Sequence, residues 1–103
     1  MQVIARRTLK KFWGRHSQAE GPLRAWFAIV SRAKWSGPAD VKRQFGSTVD
    51  FLADNRVVFD IGGNKYRLVA RVAYPYARVL IKFVGTHAEY DRIDPETVSW
   101  RRK

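Results

Sequence analysis

The stretch RVVFDIGGNKYRLVARVAYPYARVLIKFVGTH, residues 56–87, decides the fold because it predicts three consecutive β-strands. Apolar side chains alternate with other residues from Val57 to Ile61, and again over residues 64–74. This period of two is typical of strands. Gly62 and Gly63 lie between the two strands and predict a tight turn, since glycine accepts positive φ. After a break at residues 74–77, an almost wholly apolar strand runs over residues 79–84, which completes an antiparallel meander.

The residues before this stretch follow a helical period instead. Apolar residues recur at spacings of three and four over residues 5–16, and again from Pro22 to about residue 35, which predicts two helices. A short helical turn is expected over residues 39–45, and one more turn around Trp100. Residues 1–4 fit either a short strand or an extended lead-in. Helices followed by a meander predict a single α+β domain over residues 1–103.

The charge of the chain indicates a polyanionic partner. Twenty Lys and Arg against nine Asp and Glu give a net charge of +11. The partners that fit are nucleic acid, an acidic membrane surface or an acidic protein. The densest part lies in the first predicted helix, which carries Arg6, Arg7, Lys10, Lys11 and Arg15 and no acid. A solvated helix face is the alternative, but such faces usually mix both signs.

Composition also excludes several classes of protein. The chain has no cysteine, which excludes disulfides, thiolate metal sites and a cysteine nucleophile. Its longest uncharged apolar run, residues 25–30, is far too short to cross a membrane. No apolar segment follows the basic N-terminus, so we expect no secretory signal and a cytoplasmic protein without membrane contact. The acidic residues near the end, Glu89, Asp91, Asp94 and Glu96, have no second histidine nearby, so we predict neither a metal nor a cofactor.

One group of residues has the chemistry to act on RNA. Antiparallel pairing of the second and third strands brings Arg67 beside residues 85–87, which places Arg67, His87 and Tyr90 at one end of the sheet. Lys65 and Arg71 are expected to share the strand face of Arg67, with Lys82 bordering it.

Cleavage of an RNA phosphodiester needs a base for the 2′-hydroxyl, cations for the charge that grows on phosphorus, and an acid for the leaving 5′-oxygen. Histidine serves as acid or base near neutral pH, arginine binds two phosphate oxygens, and tyrosine hydrogen-bonds or stacks. The residues by themselves also fit a structural histidine and a solvated sheet face. They therefore leave a metal-free nuclease and a plain RNA-binding domain both open.

Two blocks of the sequence resemble the HigB family of type II toxin–antitoxin toxins, within the RelE-like superfamily. They are RVVFDIGGNKYRLV, residues 56–69, and FVGTHAEYD, residues 83–91; VIA at 3–5 and PADVK at 38–42 are similar too. The resemblance implies a compact fold with two N-terminal helices against an antiparallel sheet. It also implies a messenger-RNA endonuclease that acts at the ribosome, and an antitoxin, HigA, usually a helix-turn-helix protein.

The resemblance also implies roles for individual residues. Arg67 matches the sheet arginine that RelE-like toxins place against the scissile phosphate, and His87 and Tyr90 match polar positions at the end of the last strand. Asp60 stands where many relatives are expected to have asparagine. In the resulting hypothesis, Arg67 stabilises the charge of the transition state and His87 acts as general acid or base. Tyr90 orients the phosphate or stacks on a base of the substrate. The remaining cations, Lys65, Arg71, Lys82, Arg6, Arg7, Lys10 and Lys11, would hold messenger and ribosomal RNA. A non-catalytic RNA-binding or translation-blocking module is the alternative.

Overall fold

The computed structural model describes residues 1–99, so the turn predicted around Trp100 lies outside the described residues. In chain order the elements are β1 (Gln2–Ile4), α1 (Arg6–Arg15), α2 (Glu20–Arg32), α3 (Pro38–Phe45), β2 (Val49–Phe51), β3 (Arg56–Ile61), β4 (Tyr66–Ala73), β5 (Arg78–Thr86) and α4 (His87–Tyr90). Short 3₁₀ turns occupy Ser17–Ala19, Gly46–Thr48 and Tyr74–Tyr76. The predicted α+β architecture is confirmed.

Over residues 1–99 the strands form one five-stranded sheet in the order β1-β5-β4-β3-β2. The predicted meander of β3, β4 and β5 is antiparallel and confirmed. The sheet as a whole is mixed, because β1 pairs in parallel with β5. That pairing joins opposite ends of the chain, and only hairpin neighbours can be predicted from alternation and turns. β2 was missed since three residues are too few to show a period.

The three long helices cover one face of the sheet, and the main core lies between them. Helix residues Leu9, Phe12, Leu23, Trp26 and Val41 are buried there. The Trp26 ring meets Phe59 of β3 edge-on with the centroids 5.4 Å apart, and Phe12 meets Tyr66 of β4 at 5.6 Å. Each fully buried side chain of this size contributes roughly 1.5–3 kcal/mol of transfer free energy. The apolar residues that recur at spacings of three and four in the helices therefore hold the helices against the sheet.

The chain reverses between α1 and α2 earlier than its Gly-Pro pair suggests. The break falls at residues 16–19, and Gly21 and Pro22 lie inside the first turn of α2. Proline is tolerated there because the first backbone N–H groups of a helix have no partner within that helix. His16, at the end of α1, stacks on the Phe12 ring with centroids 4.5 Å apart, so it takes part in the packing at this end of the helix.

The other side of the sheet, named here the second face, carries the side chains of Asp60, Arg67 and Arg71. The chain after α4 reaches Arg56 of β3, which lies only 7% exposed. Arg56 Nη1 donates to the carbonyl oxygens of Pro95 (3.0 Å) and Val98 (2.8 Å). These bonds anchor the segment after α4 to the sheet and satisfy part of a buried charge.

Candidate functional site

The β4–β5 hairpin brings together the sheet end that the sequence singles out. Arg67 pairs directly with Gly85, within the range 85–87 that was predicted, and Tyr66 pairs with Thr86. The backbone N–H of His87 donates to the Lys65 carbonyl oxygen at 3.2 Å, which extends the pairing one step past the strand. The start of β4 and the end of β5 are thus fixed next to each other.

A capping box fixes the short helix α4 directly after β5. The Glu89 backbone N–H donates to Thr86 Oγ1 at 3.1 Å, and Glu89 Oε1 accepts from the Thr86 N–H at 2.8 Å. The pattern Thr-x-x-Glu satisfies two helix-end donors reciprocally. Because α4 carries His87 and Tyr90, this local motif positions both candidate residues relative to the sheet.

Arg67 is enclosed by side chains from three elements. Its Nη1 lies 2.8 Å from Asp60 Oδ1 across the β3–β4 pair, and it also donates to Asn64 Oδ1 in the turn. Its Cζ lies 5.6 Å from the centroid of the Tyr90 ring, within the range of a cation–π contact. The Arg67 side chain is only 15% exposed. The structure therefore brings Arg67 and Tyr90 together and adds two partners, Asp60 and Asn64, for the arginine.

Gly85 leaves room for this cluster. A Cβ atom at residue 85 would lie 2.5 Å from Phe83 Cζ and 2.8 Å from Glu89 Oε1, closer than real contacts allow. The Phe83 ring uses that space and reaches the Tyr90 ring, with the centroids 6.5 Å apart. The absence of a side chain opposite Arg67 thus lets two aromatic rings line the site.

Burial raises the pKa of the Tyr90 phenol above its ordinary value of 10. The positive charge of Arg67 opposes this effect, and the carboxylates of Asp50, Asp60 and Asp91 reinforce it. The Tyr90 hydroxyl is therefore protonated throughout the neutral range, where it donates a hydrogen bond or a proton and cannot serve as a base.

His87 lies at the same end of the sheet but pairs with a different residue. Its Nδ1 lies 3.4 Å from Asp91 Oδ2, one helical turn along, and the imidazole is 45% exposed. A carboxylate at Nδ1 leaves the other ring nitrogen available for a substrate. Asp91 was not predicted as a partner, although its spacing of four residues from His87 is the signal that identifies it.

The other cations predicted near Arg67 do not form one cluster with it. Lys65 is exposed in the β3–β4 turn, so the expectation that it shares a strand face with Arg67 is wrong, because β4 begins only at Tyr66. Arg71 does lie on the second face, about 13 Å from Arg67 along the strand. Its Nε is 3.3 Å from Asp54 Oδ2. Lys82 is the extra residue of a β-bulge in β5, opposite Val69 and Ala70.

The cations of α1 lie on the opposite side of the sheet from Arg67. Arg6, Arg7, Lys10 and Lys11 are all exposed. A groove of about 290 Å³ between α1 and α2 is lined in part by Arg6 and Lys10. Arg6 Cζ lies 4.6 Å from the Phe27 ring centroid there, and Arg24 Cζ lies 5.3 Å from that of Trp13. The surplus charge thus forms two separate surfaces rather than one.

Comparison with known proteins agrees with this architecture. A family model described as HigB toxin, the RelE-like toxic component of a toxin–antitoxin system, matches residues 19–93. The chain belongs to the HigB toxin family. The protein named "mRNA interferase toxin HigB" from Escherichia coli strain K12 is 32% identical over 92 residues, which cover 88% of each chain. An "mRNA interferase HigB" from Shigella flexneri matches equally well, and one from Escherichia coli O6:H1 is 23% identical over 94 residues.

The part of the chain that the HigB family model covers runs from the end of the α1–α2 turn through α4. It includes Asp60, Arg67, His87 and Tyr90, and it leaves out α1 and its cations. The sheet site therefore lies inside the matched region, while the basic helix lies before it.

Two of the acidic residues after β5 accept hydrogen bonds from backbone groups. Glu89 accepts from the Thr86 N–H, and Asp94 Oδ1 accepts from the Glu96 N–H at 3.0 Å. Within residues 1–99, no group of three or more His, Cys, Asp or Glu side chains is placed to hold a metal ion. Over the same residues, no helix of this HigB-family chain is long and apolar enough to cross a membrane.

Proposed function

We propose that this chain is a ribosome-dependent mRNA interferase, an endoribonuclease that cuts messenger RNA at the end of the sheet where Arg67 lies. The observation that carries the proposal is the enclosed Arg67 guanidinium, which lies on the Tyr90 ring and next to the helix that carries His87. Membership of a family whose relatives are named mRNA interferases supports the same activity.

The proposed reaction uses the substrate's own nucleophile. The 2′-oxygen attacks phosphorus, the bond from phosphorus to the 5′-oxygen breaks, and the products are a 2′,3′-cyclic phosphate and a 5′-hydroxyl. One proton leaves the 2′-hydroxyl and one reaches the 5′-oxygen. Arg67 stabilises the charge that develops on the phosphate oxygens, where a donor fixed before the reaction is most effective.

The proton transfers fall to His87 and Tyr90. The raised pKa of Tyr90 keeps its hydroxyl protonated, so Tyr90 is suited to orient the phosphate or to protonate the leaving oxygen. His87, with Asp91 at Nδ1, is then the residue that takes the 2′-hydroxyl proton near neutral pH. Stacking of the Tyr90 ring on a base of the substrate is compatible with either role.

The remaining cations provide docking charge. The messenger RNA backbone would be contacted by Lys65 in the β3–β4 turn, Arg71 on the second face and Lys82 at the bulge of β5. The exposed α1 cations, Arg6, Arg7, Lys10 and Lys11, would contact ribosomal RNA from the helix side. Phosphate contacts of this kind make binding steeply salt-dependent. The partner that neutralises the chain would be a HigA-type helix-turn-helix antitoxin, and the place of action the cytoplasm.

Separate replacement of Arg67 and His87 by alanine tests the proposal. Induction of the wild-type chain is expected to arrest growth and to give discrete breaks in transcripts by primer extension, and both variants are expected to lose both effects. Arg78→Ala, which removes an exposed arginine at the far end of β5, is the matched control and should remain toxic.

Circular dichroism of each variant separates loss of the site from loss of the fold. Growth arrest without breaks in any transcript would point to a translation-blocking module instead. Full toxicity of both the Arg67 and the His87 variants, at unchanged expression, would contradict the assigned site.

A further inference from the structure

The β3–β4 hairpin supplies its own anion to Arg67. Asp60 and Arg67 are directly paired across the two strands, and Asp60 Oδ1 lies 2.8 Å from Arg67 Nη1. The pair is partly buried, with side-chain exposures of 15% for Arg67 and 29% for Asp60. The turn that follows β3 adds Asn64, whose Oδ1 accepts from the same nitrogen. One nitrogen of the guanidinium is therefore already bound to two acceptors.

A phosphate oxygen and a carboxylate oxygen compete for the same donors. Guanidinium groups bind both anions with the same in-plane geometry, at similar distances. A phosphate that approaches Arg67 either uses the N–H groups of Nη2 and Nε or displaces Asp60 from Nη1. In either case a second negative charge stands within a few ångströms of the phosphate, at a partly buried place where water screens it less than at the surface.

We propose that Asp60 is a positioning and selectivity residue, an internal counter-anion that holds Arg67 in place and repels an RNA phosphate that binds there. This inference rests on the proposed function, because it takes Arg67 as the phosphate contact. Asp60 lowers the affinity for RNA in general, so that a phosphate engages Arg67 only where other contacts hold the strand. Selectivity arises from such an unfavourable element as much as from attractive contacts.

The sign of the effect on binding distinguishes this role from a merely structural one. Asp60→Asn keeps an oxygen acceptor for Arg67 and removes the charge. If Asp60 only supported Arg67, the substitution would loosen the guanidinium and weaken RNA binding. A counter-anion predicts the opposite, a gain in affinity.

The test measures the affinity for a fluorescein-labelled 12-nucleotide RNA whose 2′-positions are methylated, so that it binds but is not cut. In fluorescence anisotropy at low salt, Asp60→Asn should lower Kd about tenfold. Asp54→Asn is the matched control, since it removes the same charge from the carboxylate that pairs with Arg71 at 3.3 Å. Its gain should stay below about twofold, because water screens the Asp54–Arg71 pair, whose side chains are 64% and 38% exposed.

The same assay separates failure of this inference from failure of the proposed function. Arg67→Ala should weaken binding, and Asp60→Asn should give no gain in the Arg67→Ala background, because the two residues act through one contact. If Arg67→Ala weakens binding while Asp60→Asn weakens it or leaves it unchanged, the counter-anion role of Asp60 is wrong. The proposed phosphate contact at Arg67 is then still supported. If Arg67→Ala leaves Kd unchanged, the proposed phosphate contact itself is wrong. Equal gains in affinity from Asp60→Asn and Asp54→Asn would mean that the gain comes from the change in net charge alone, which would overturn the inference.

Discussion

At the scale of single residues, Arg67 and Tyr90 divide the proposed chemistry between a fixed charge and a neutral hydroxyl. The guanidinium lies 5.6 Å from the ring centroid, so the tyrosine has both an aromatic and a polar role in the same place. Burial raises the pKa of Tyr90 and keeps its hydroxyl a donor. The two roles can be separated, because phenylalanine retains the ring and removes only the hydroxyl.

Tyr90→Phe is expected to lower kcat for RNA cleavage roughly a hundredfold with little change in KM, since a positioned proton donor typically contributes that much. Tyr90→Ala should lower kcat similarly and also raise KM, because it removes the ring that faces Arg67. Steady-state cleavage assays on ribosomes programmed with a defined messenger RNA measure both constants. A Tyr90→Phe variant with the wild-type kcat would limit Tyr90 to stacking.

The place of the site residues in the fold could be predicted from the sequence, but their side-chain contacts could not. Arg67, His87 and Tyr90 were placed at one sheet end because hairpin pairing follows from two strands and a turn, and the register Arg67 to Gly85 confirms it. The contact of Asp60 with Arg67 was not predicted because it depends on the exact register of β3 against β4. The contact of Asn64 with Arg67 was not predicted, because side-chain direction at a turn depends on its backbone angles. Asn64 has a φ of 88°, and no pattern of residue types alone gives that value.

At the scale of elements, α4 is fixed to the end of β5 by a capping box and not by its own length. Four residues cannot form a stable helix by themselves. The two reciprocal bonds between Thr86 and Glu89 and the continuation of β5 therefore fix the direction in which His87 and Tyr90 leave the sheet.

Replacement of the capping threonine tests this dependence. Thr86→Ala is expected to lower the free energy of unfolding by about 1 kcal/mol, the usual cost of a lost N-cap. The cleavage rate should fall at least tenfold, because both candidate residues move with α4. Urea denaturation and single-turnover cleavage measure the two effects. Thr97→Ala, which removes an exposed hydroxyl from the C-terminal turn, is the matched control, and equal loss of activity in both variants would contradict the role of the cap.

The start of α3 provides a pH test of local stability. Asp40 accepts from the Ser36 backbone N–H and hydroxyl and pairs with Arg43, and these contacts lower its pKa from 3.8 to about 2. The folded state thus binds the proton more weakly than the unfolded state. The stabilisation is present above pH 4 and is lost as the pH falls toward 2.

The free energy of unfolding of the wild-type chain should therefore decrease more steeply between pH 4 and pH 2 than that of Asp40→Asn. Chemical denaturation at a series of pH values measures this slope. Gln18→Ala, at an exposed position without a titratable group, is the control and should retain the wild-type slope. Identical slopes for wild type and Asp40→Asn would show that the contacts of Asp40 contribute nothing to stability in acid.

At the scale of the whole molecule, the sheet separates two basic surfaces. The helix side carries the exposed cations of α1, and the second face carries Arg67 and Arg71. The net charge of +11 predicts a polyanionic partner, but only the fold shows that the charge faces two directions. The resemblance to the HigB family implies action at the ribosome, and two separate basic surfaces are compatible with docking on so large an RNA assembly.

The fold itself was largely predictable, because its centre is a meander of sequence neighbours. Alternation in β3 and β4, the glycine turn and the apolar β5 each specify a local pairing. The parallel partnership of β1 with β5 and the edge strand β2 were not, since one depends on residues far apart in the chain and the other is three residues long.

The most direct test of the central claim is the single-turnover rate at which messenger RNA is cut on a programmed ribosome by the wild-type chain and by Arg67→Ala. The account predicts a loss of roughly 10²–10³-fold, the usual effect of removing one donor to a developing oxyanion. Binding to the ribosome should stay within a fewfold, because the α1 surface is unchanged. RNA fragments produced by the wild-type chain should end in a 2′,3′-cyclic phosphate. An Arg67→Ala variant that cuts the same message within threefold of the wild-type rate would contradict the account.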